Sequence, residues 1–233
     1  MLYFKKETGE TMDQLIQRIK LVHPAKKLAY TTRLDPMAKG IVQIITDDMC
    51  VDIKKYLSME KTYEVKIIMG IQTDTDDVLG LIQNKQIVDI ITYLKIKKLI
   101  IDYLNLINKT SFLQKFHYYS TKMMNHRRRK TVDIIDTHLV SIFEYEILCE
   151  KIINYKKWCD KIISKIKLID NTKNYRQNII IKQWEDTDFN DLFAIKLRIK
   201  VSSGFFIRQL IRDISNIINF PIMCYNINRI NIH

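Results

Sequence analysis

The sequence predicts an α+β fold, because segments of strand period and of helix period share one chain of 233 residues. Three observations carry this. Ile195-Lys196-Leu197-Arg198-Ile199-Lys200-Val201 alternates apolar and basic residues without a miss, the pattern of a half-buried strand. Lys61 to Met69 does the same, with Tyr63, Val65 and Ile67 on one face and Thr62, Glu64 and Lys66 on the other. Ile207, Leu210, Ile211 and Ile214 instead fall at helical spacing, as do Leu15, Ile16, Ile19 and Val22.

From the N-terminus, Thr11-Met12-Asp13-Gln14 is a capping-box arrangement in which Thr11 bonds a free helix amide and Gln14 reaches back. His23-Pro24 ends that helix. A rigid loop, Tyr30 to Gly40, then delivers one carboxylate, Asp35, before the apolar strand Ile41-Val42-Gln43-Ile44-Ile45. Pro36 biases Asp35 toward extended backbone, and on its own Leu-Asp-Pro is ordinary turn chemistry. Asp47 and Asp48 are expected to open a further helix whose buried stripe is Met49, Ile53, Tyr56 and Leu57.

Gly70 to Gly80 is an acidic loop. It fails as a calcium loop, because Val78 and Leu79 occupy positions that need an oxygen ligand and a turn glycine. It is read as a turn that acts through its backbone or not at all. Residues 86–108 are expected to be an amphipathic helix region, 111–130 a long polar and aromatic connection, 150–167 a helix, and 171–190 irregular with a short strand at 179–182.

Composition narrows the function. A hydrophobic content of 47% is enough for a substantial core, and 38 basic against 26 acidic residues give a formal charge of +12, which suits a polyanion such as nucleic acid. The most apolar stretch, Ile87 to Ile107, is interrupted by charges and is no bilayer span. Cys50, Cys149, Cys159 and Cys224 have no paired spacing, and the histidines form no zinc pattern. The expectation is therefore no metal. A membrane surface rivals nucleic acid as the polyanionic partner, and composition alone does not separate them; only the motifs taken together lead to the expectation of no membrane partner. With no secretory signal at the start of the chain, an intracellular, reducing compartment is expected, cytoplasmic or nuclear.

In order, these segments resemble the TruB-type pseudouridine synthases. Lys6-Glu7-Thr8-Gly9-Glu10-Thr11 is similar to that family's opening Lys-Pro-x-Gly-x-Ser/Thr, and Tyr30 to Gly40 to its catalytic loop ending Leu-Asp-Pro-x-Ala-x-Gly. Lys61-Thr62-Tyr63 resembles the strand with its active-site tyrosine. Gly70 to Gly80 matches its Thr-Asp-Thr loop, Tyr119-Ser120-Thr121-Lys122 its Tyr-Ser-Ala-x-Lys, and Gly204 to Asp213 its Gly-x-Tyr-Ile-Arg-x-Leu-x-x-Asp. All five glycines of the chain fall on glycines of that pattern. The departures are Glu7 for proline, Tyr30 for histidine, Thr32 for glycine, and the absence of the proline pair before Tyr119.

What the resemblance implies is specific. The fold would be a pseudouridine synthase catalytic domain over residues 1–233: a mixed, mostly antiparallel sheet with flanking helices and an RNA cleft. Residues 149–193 would be an insertion, and the RNA-binding PUA domain of many relatives is expected to be missing. Asp35 would be the catalytic carboxylate, either nucleophile at C1′ or base at C2′, paired with Arg208; Tyr63 would stack on the extruded uracil, and Ile227 would pack against it. Tyr30 would fill the gap left by the flipped base. Lys39, Tyr119 and the run Arg127, Arg128, Arg129 and Lys130 would contact substrate. No cofactor is needed, and a monomer acting on the T-arm of transfer RNA is expected. The competing readings are a guide-dependent H/ACA-type synthase and an RNA-binding protein that has lost catalysis.

Overall fold

The computed structural model describes residues 1–120, 137–170, 174–189 and 191–233. Arg127, Arg128, Arg129 and Lys130 lie outside the described residues. In chain order the strands are β1 (Leu2–Lys6), β2 (Leu28–Tyr30), β3 (Lys39–Thr46), β4 (Lys61–Met69), β5 (Ile71–Thr73), β6 (Ile82–Lys85), β7 (Ser111–Lys115), β8 (Thr137–Ile153), β9 (Leu192–Val201) and β10 (Ile222–Ile232). The helices are α1 (Met12–Val22), α2 (Ile90–Ile107), α3 (Tyr155–Ile166), α4 (Gln177–Glu185) and α5 (Ile207–Ile218).

Eight strands form one sheet in the order β1-β3-β10-β4-β9-β8-β7, with β2 added to β3. Every neighbouring pair is antiparallel except β10 with β3. The strand alternation read from the sequence sorts its side chains onto two layers. Val65 and Ile67 of β4, Leu197 and Ile199 of β9 and Cys224 of β10 join a core covered by α1, α2 and α5. Their neighbours Ile68, Ala194 and Met223 face the opposite way, into a second core built by Tyr155, Trp158 and Ile162 of α3 and Ile180 and Trp184 of α4. Farther along the strands this second face is polar, and Glu64 pairs there with Lys196 and Arg198.

The capping box of α1 forms as expected, Thr11 Oγ1 accepting from Gln14 N at 3.2 Å and Gln14 Oε1 from Thr11 N at 2.7 Å. Elsewhere tertiary context overrides the local signal. Residues 47–57 form two short 3₁₀ turns, and Met49, Ile53, Tyr56 and Leu57 are not buried. Asp47 spends its carboxylate on the amides of Lys26 and Lys27, both at 3.0 Å, so it caps nothing. The connection expected over 111–130 begins as β7, paired with β8. The helix expected from 150 starts only at Tyr155, because β8 continues along β9 as far as Ile153 opposite Leu192. The strand expected at 179–182 is the helix α4: Ile180 and Trp184 are buried four residues apart while Ile179 is exposed, which is helical spacing.

No helix among the described residues is long and apolar enough to cross a membrane. The four cysteines are free thiols, Cys159 and Cys224 buried.

Candidate active site

The loop between β2 and β3 is fixed from three directions. Leu34 and Ala38 are buried in the first core and Met37 in the second, so apolar anchors on opposite sides leave Asp35 projecting between them. Under the loop sits Lys6, fully buried, whose ammonium donates to the carbonyls of Glu7 at 3.1 Å, Pro36 at 3.1 Å and Ala38 at 2.7 Å. Burial pushes the Lys6 pKa down to about 8, against the pull of the Asp35 carboxylate. Gly40 then lets β3 pass β10: at φ +117° it lies against the backbone of Arg229, where an added Cβ would stand 2.1 Å from the carbonyl oxygen.

Facing this loop, α5 brings Arg208 from the other side of the sheet's first core. Arg208 Nη2 lies 2.8 Å from Asp35 Oδ2; the arginine side chain is 7% exposed and the aspartate 42%. The same guanidinium reaches Asp77 Oδ2 at 3.4 Å and donates to the Thr75 carbonyl at 3.2 Å. Burial works against the charge on Arg208, but Asp35 and Asp77 outweigh it and keep the side chain cationic. Asp77 is in turn held by Leu79 N and Thr75 Oγ1, both at 2.9 Å. The acidic loop therefore acts through a carboxylate as well as its backbone. It clamps the arginine that orients Asp35.

A polar network steadies that loop. Arg212 Nε bonds Asp76 Oδ2 at 2.6 Å and Nη2 donates to the Asp74 carbonyl at 2.7 Å. Asp74 accepts from Tyr119 Oη at 2.9 Å and from Arg176 Nη1 at 2.6 Å. His117 Nε2 lies 2.9 Å from Asp76 Oδ2, and both side chains are fully buried. Burial first, then the charges of Arg208 and Arg212, drive the His117 pKa far down, so the ring stays neutral in the fold.

The sign of the consequence follows. The unfolded chain protonates this histidine below about pH 6.5, so its contribution to stability is present above that value and is lost as pH falls. His117→Gln is expected to be less stable than the parent at neutral pH, with a deficit that shrinks as pH falls below about 6.5. Urea unfolding of both proteins across that range measures it; a deficit independent of pH contradicts the assignment.

Between the Asp35 loop and α5 opens a cleft of about 460 Å³, lined among others by Asp35, Tyr63, Phe205, Arg208 and Ile227. That lies within the span of small-ligand sites, roughly 300–1,000 Å³. Tyr63 and Ile227 are each 7% exposed and present apolar surface to it. The structure thus brings four expected residues, Asp35, Tyr63, Arg208 and Ile227, to one cleft. Tyr30, Lys39 and Tyr119 are outside its lining: Tyr30 lies beneath the Arg33 guanidinium, 5.1 Å from its ring centre, and Tyr119 belongs to the Asp74 network. No cluster of potential metal ligands occurs among the described residues.

Sequence reasoning left Lys6, Asp77, His117, Lys61 and Arg229 without roles. For Arg229 a signal existed, since it is the one full side-chain charge between Asp213 and the C-terminus. Lys6 and Lys61 stand in segments that match the motifs, but their burial, and so their roles, are not visible from their neighbours in a strand.

Comparisons with known proteins agree with this geometry. The profile of the TruB family pseudouridylate synthase (N terminal domain) matches residues 20–152. The tRNA pseudouridine synthase B of Ureaplasma urealyticum is 31% identical over 172 residues, 71% of this chain and 72% of that protein. That of Prochlorococcus marinus is 25% identical over 230 residues, 98% of this chain and 63% of the relative. Among solved structures, a Cbf5-Nop10-Gar1 complex contains a chain similar in fold, with a TM-score of 0.55 at 13% identity, covering 98% of this chain and 47% of that one. The profile spans more than half of the sequence, and the Asp35 loop and the Tyr63 strand lie within it: the chain belongs to the TruB family of pseudouridylate synthases and is an enzyme of that family.

Proposed function

We propose that this chain isomerises a uridine in the T-arm of transfer RNA to pseudouridine. The observation that carries the reading is the Asp35–Arg208 pair at 2.8 Å on the wall of a cleft that also presents Tyr63 and Ile227. Support comes from two relatives named tRNA pseudouridine synthase B and from a formal charge of +12.

In this reading the reaction is an isomerisation with no redox step. The bond between C1′ and N1 breaks, the uracil turns within the cleft, C5 bonds to C1′, and the C5 proton leaves while N1 gains one. Asp35 supplies the carboxylate that drives cleavage at the ribose, oriented by Arg208. Tyr63 and Ile227 sandwich the loose base and keep it from leaving, which is the entropic part of the catalysis. Extruding the uridine costs roughly a few kcal/mol of stacking. Tyr30 filling the vacated stack, and phosphate contacts from Lys39 and Arg127 to Lys130, offset that cost.

The test is to incubate unfractionated transfer RNA lacking pseudouridine with the purified protein alone and to map the product by sequence position. Pseudouridine in the T-loop is the expected result. Product at another position removes the T-arm assignment, and product that appears only with an added guide RNA transfers the chain to the guide-dependent class.

A further inference from the structure

The floor of the cleft holds two cations that the chemistry above does not use. Arg229 lines it and is 1% exposed. Its Nε donates to the Ile41 carbonyl at 2.6 Å and its Nη1 to the Arg33 carbonyl at 3.4 Å, while Nη2 is buried with no partner. Lys61 also lines the cleft, is 4% exposed, and donates to the Met59 carbonyl and to Ser203 Oγ at 3.4 Å. Among the described residues neither forms an ion pair. A second unpartnered group lines the same cleft: Thr32 Oγ1, like Arg229 Nη2, is buried without a hydrogen-bond partner.

The contrast with Arg208 is what gives these residues meaning. Arg208 has two carboxylates for one buried charge. Arg229 and Lys61 have none for two. An unpaired buried charge is costly, and burial together with the neighbouring Arg229 already pushes the Lys61 pKa down to about 8. An anion entering the cleft would relieve that cost.

The fold maintains the arrangement at some expense. Arg229 stands opposite Tyr63 on β4, and β10 is irregular between Arg229 and Asn231, where a bulge redirects side chains. Gly40 leaves room for the Arg229 backbone at a distance no side chain would allow.

We propose that Arg229 and Lys61, with the Thr32 hydroxyl, form an anion subsite that takes one backbone phosphate of the RNA beside the extruded uridine. The proposal rests on the RNA reading above and deepens it. It gives the flipped nucleotide a second anchor inside the cleft, distinct from contacts along the outer surface. Binding energy gained at the phosphate is then available to hold the sugar against Asp35.

The experiment is equilibrium binding of uridine, uridine 5′-monophosphate and uridine 3′-monophosphate to the full chain at low salt, with inorganic phosphate as competitor. One monophosphate is expected to bind about tenfold tighter than uridine, a gain typical of charge-assisted contacts, and phosphate is expected to compete with it. Arg229→Gln and Lys61→Met should each reduce that gain at least about threefold, and Lys61→Met should do so without changing uridine affinity. Because Arg229 also ties the Asp35 loop, circular dichroism must show that its variant is folded; Lys61→Met tests the subsite independently of it. Equal affinity for uridine and both monophosphates, or a gain unaltered in Lys61→Met, overturns the proposal. Pseudouridine formation measured on the same wild-type preparation separates the two claims: activity without a phosphate gain removes the subsite alone, and a phosphate gain without activity removes the enzymatic reading and leaves the subsite.

Discussion

Asp35→Asn is expected to lower pseudouridine formation by at least ~10³-fold while leaving affinity for a T-arm stem-loop within about threefold of the parent. Two physical facts separate these effects. The carboxylate is the group at the cleft wall that can attack carbon or take a proton from the ribose, and an amide of the same size does neither. Affinity for RNA, in contrast, is expected to come mainly from phosphate contacts spread over the surface. Asp35 is 42% exposed, so its loss should disturb the fold little. Single-turnover conversion measured beside filter binding checks both halves. Residual activity within tenfold of the parent would mean that another group performs the cleavage.

Arg208→Met is expected to cost more in stability than any other change at the site, on the order of 3–5 kcal/mol, because it strands the buried Asp77 carboxylate without a cation. It also releases Asp35. Arg208→Lys keeps a charge but not the fork that reaches Asp35, Asp77 and the Thr75 carbonyl together, so part of the stability should return while activity stays down about 10²-fold. The double variant Arg208→Met with Asp77→Leu removes the stranded charge. It should regain stability in urea without regaining activity, which separates the arginine's role in folding from its role in orienting Asp35. Wild-type stability in Arg208→Met would contradict the buried pair.

How much of this was legible in the sequence depends on the range over which each signal acts. The alternation at 195–201 and at 61–69 predicts strands because one face of each is buried along its length, and the capping box predicts the start of α1 because its bonds close within four residues. The 179–182 segment misleads because three consecutive isoleucines look like a strand until Trp184 is seen to share a face with Ile180. For 47–57, the acidic start was legible but not the demand that the Lys26 and Lys27 amides place on Asp47.

The site divides along the same line. Asp35, Tyr63 and Arg208 were readable through motifs and Ile227 only through its place in the family pattern, and their convergence on one cleft is a property of the sheet order, which sets β4 beside β10 and β10 beside the strand that follows the loop. Lys6 and Asp77 stand in matched motifs and Arg229 is a lone charge near the end of the chain, but the role of each was not readable from those signals. Each acts by being buried next to a segment distant in sequence: Lys6 under Pro36 and Ala38, Asp77 against Arg208, Arg229 against Ile41 and Gly40. A local pattern can mark such residues but not name what they hold, because their partners are chosen by topology.

The most direct test of the account is release of label from C5. A T-arm stem-loop carrying one [5-³H]uridine at the expected target is mixed with an excess of purified wild-type protein, with no added RNA or protein partner. Carbon–carbon bond formation at C1′ must expel the C5 hydrogen, so tritium is expected to pass into water in an amount equal to the labelled uridine. Tight binding of the same RNA with no tritium released would contradict the claim that the Asp35–Arg208 cleft is an isomerising active site.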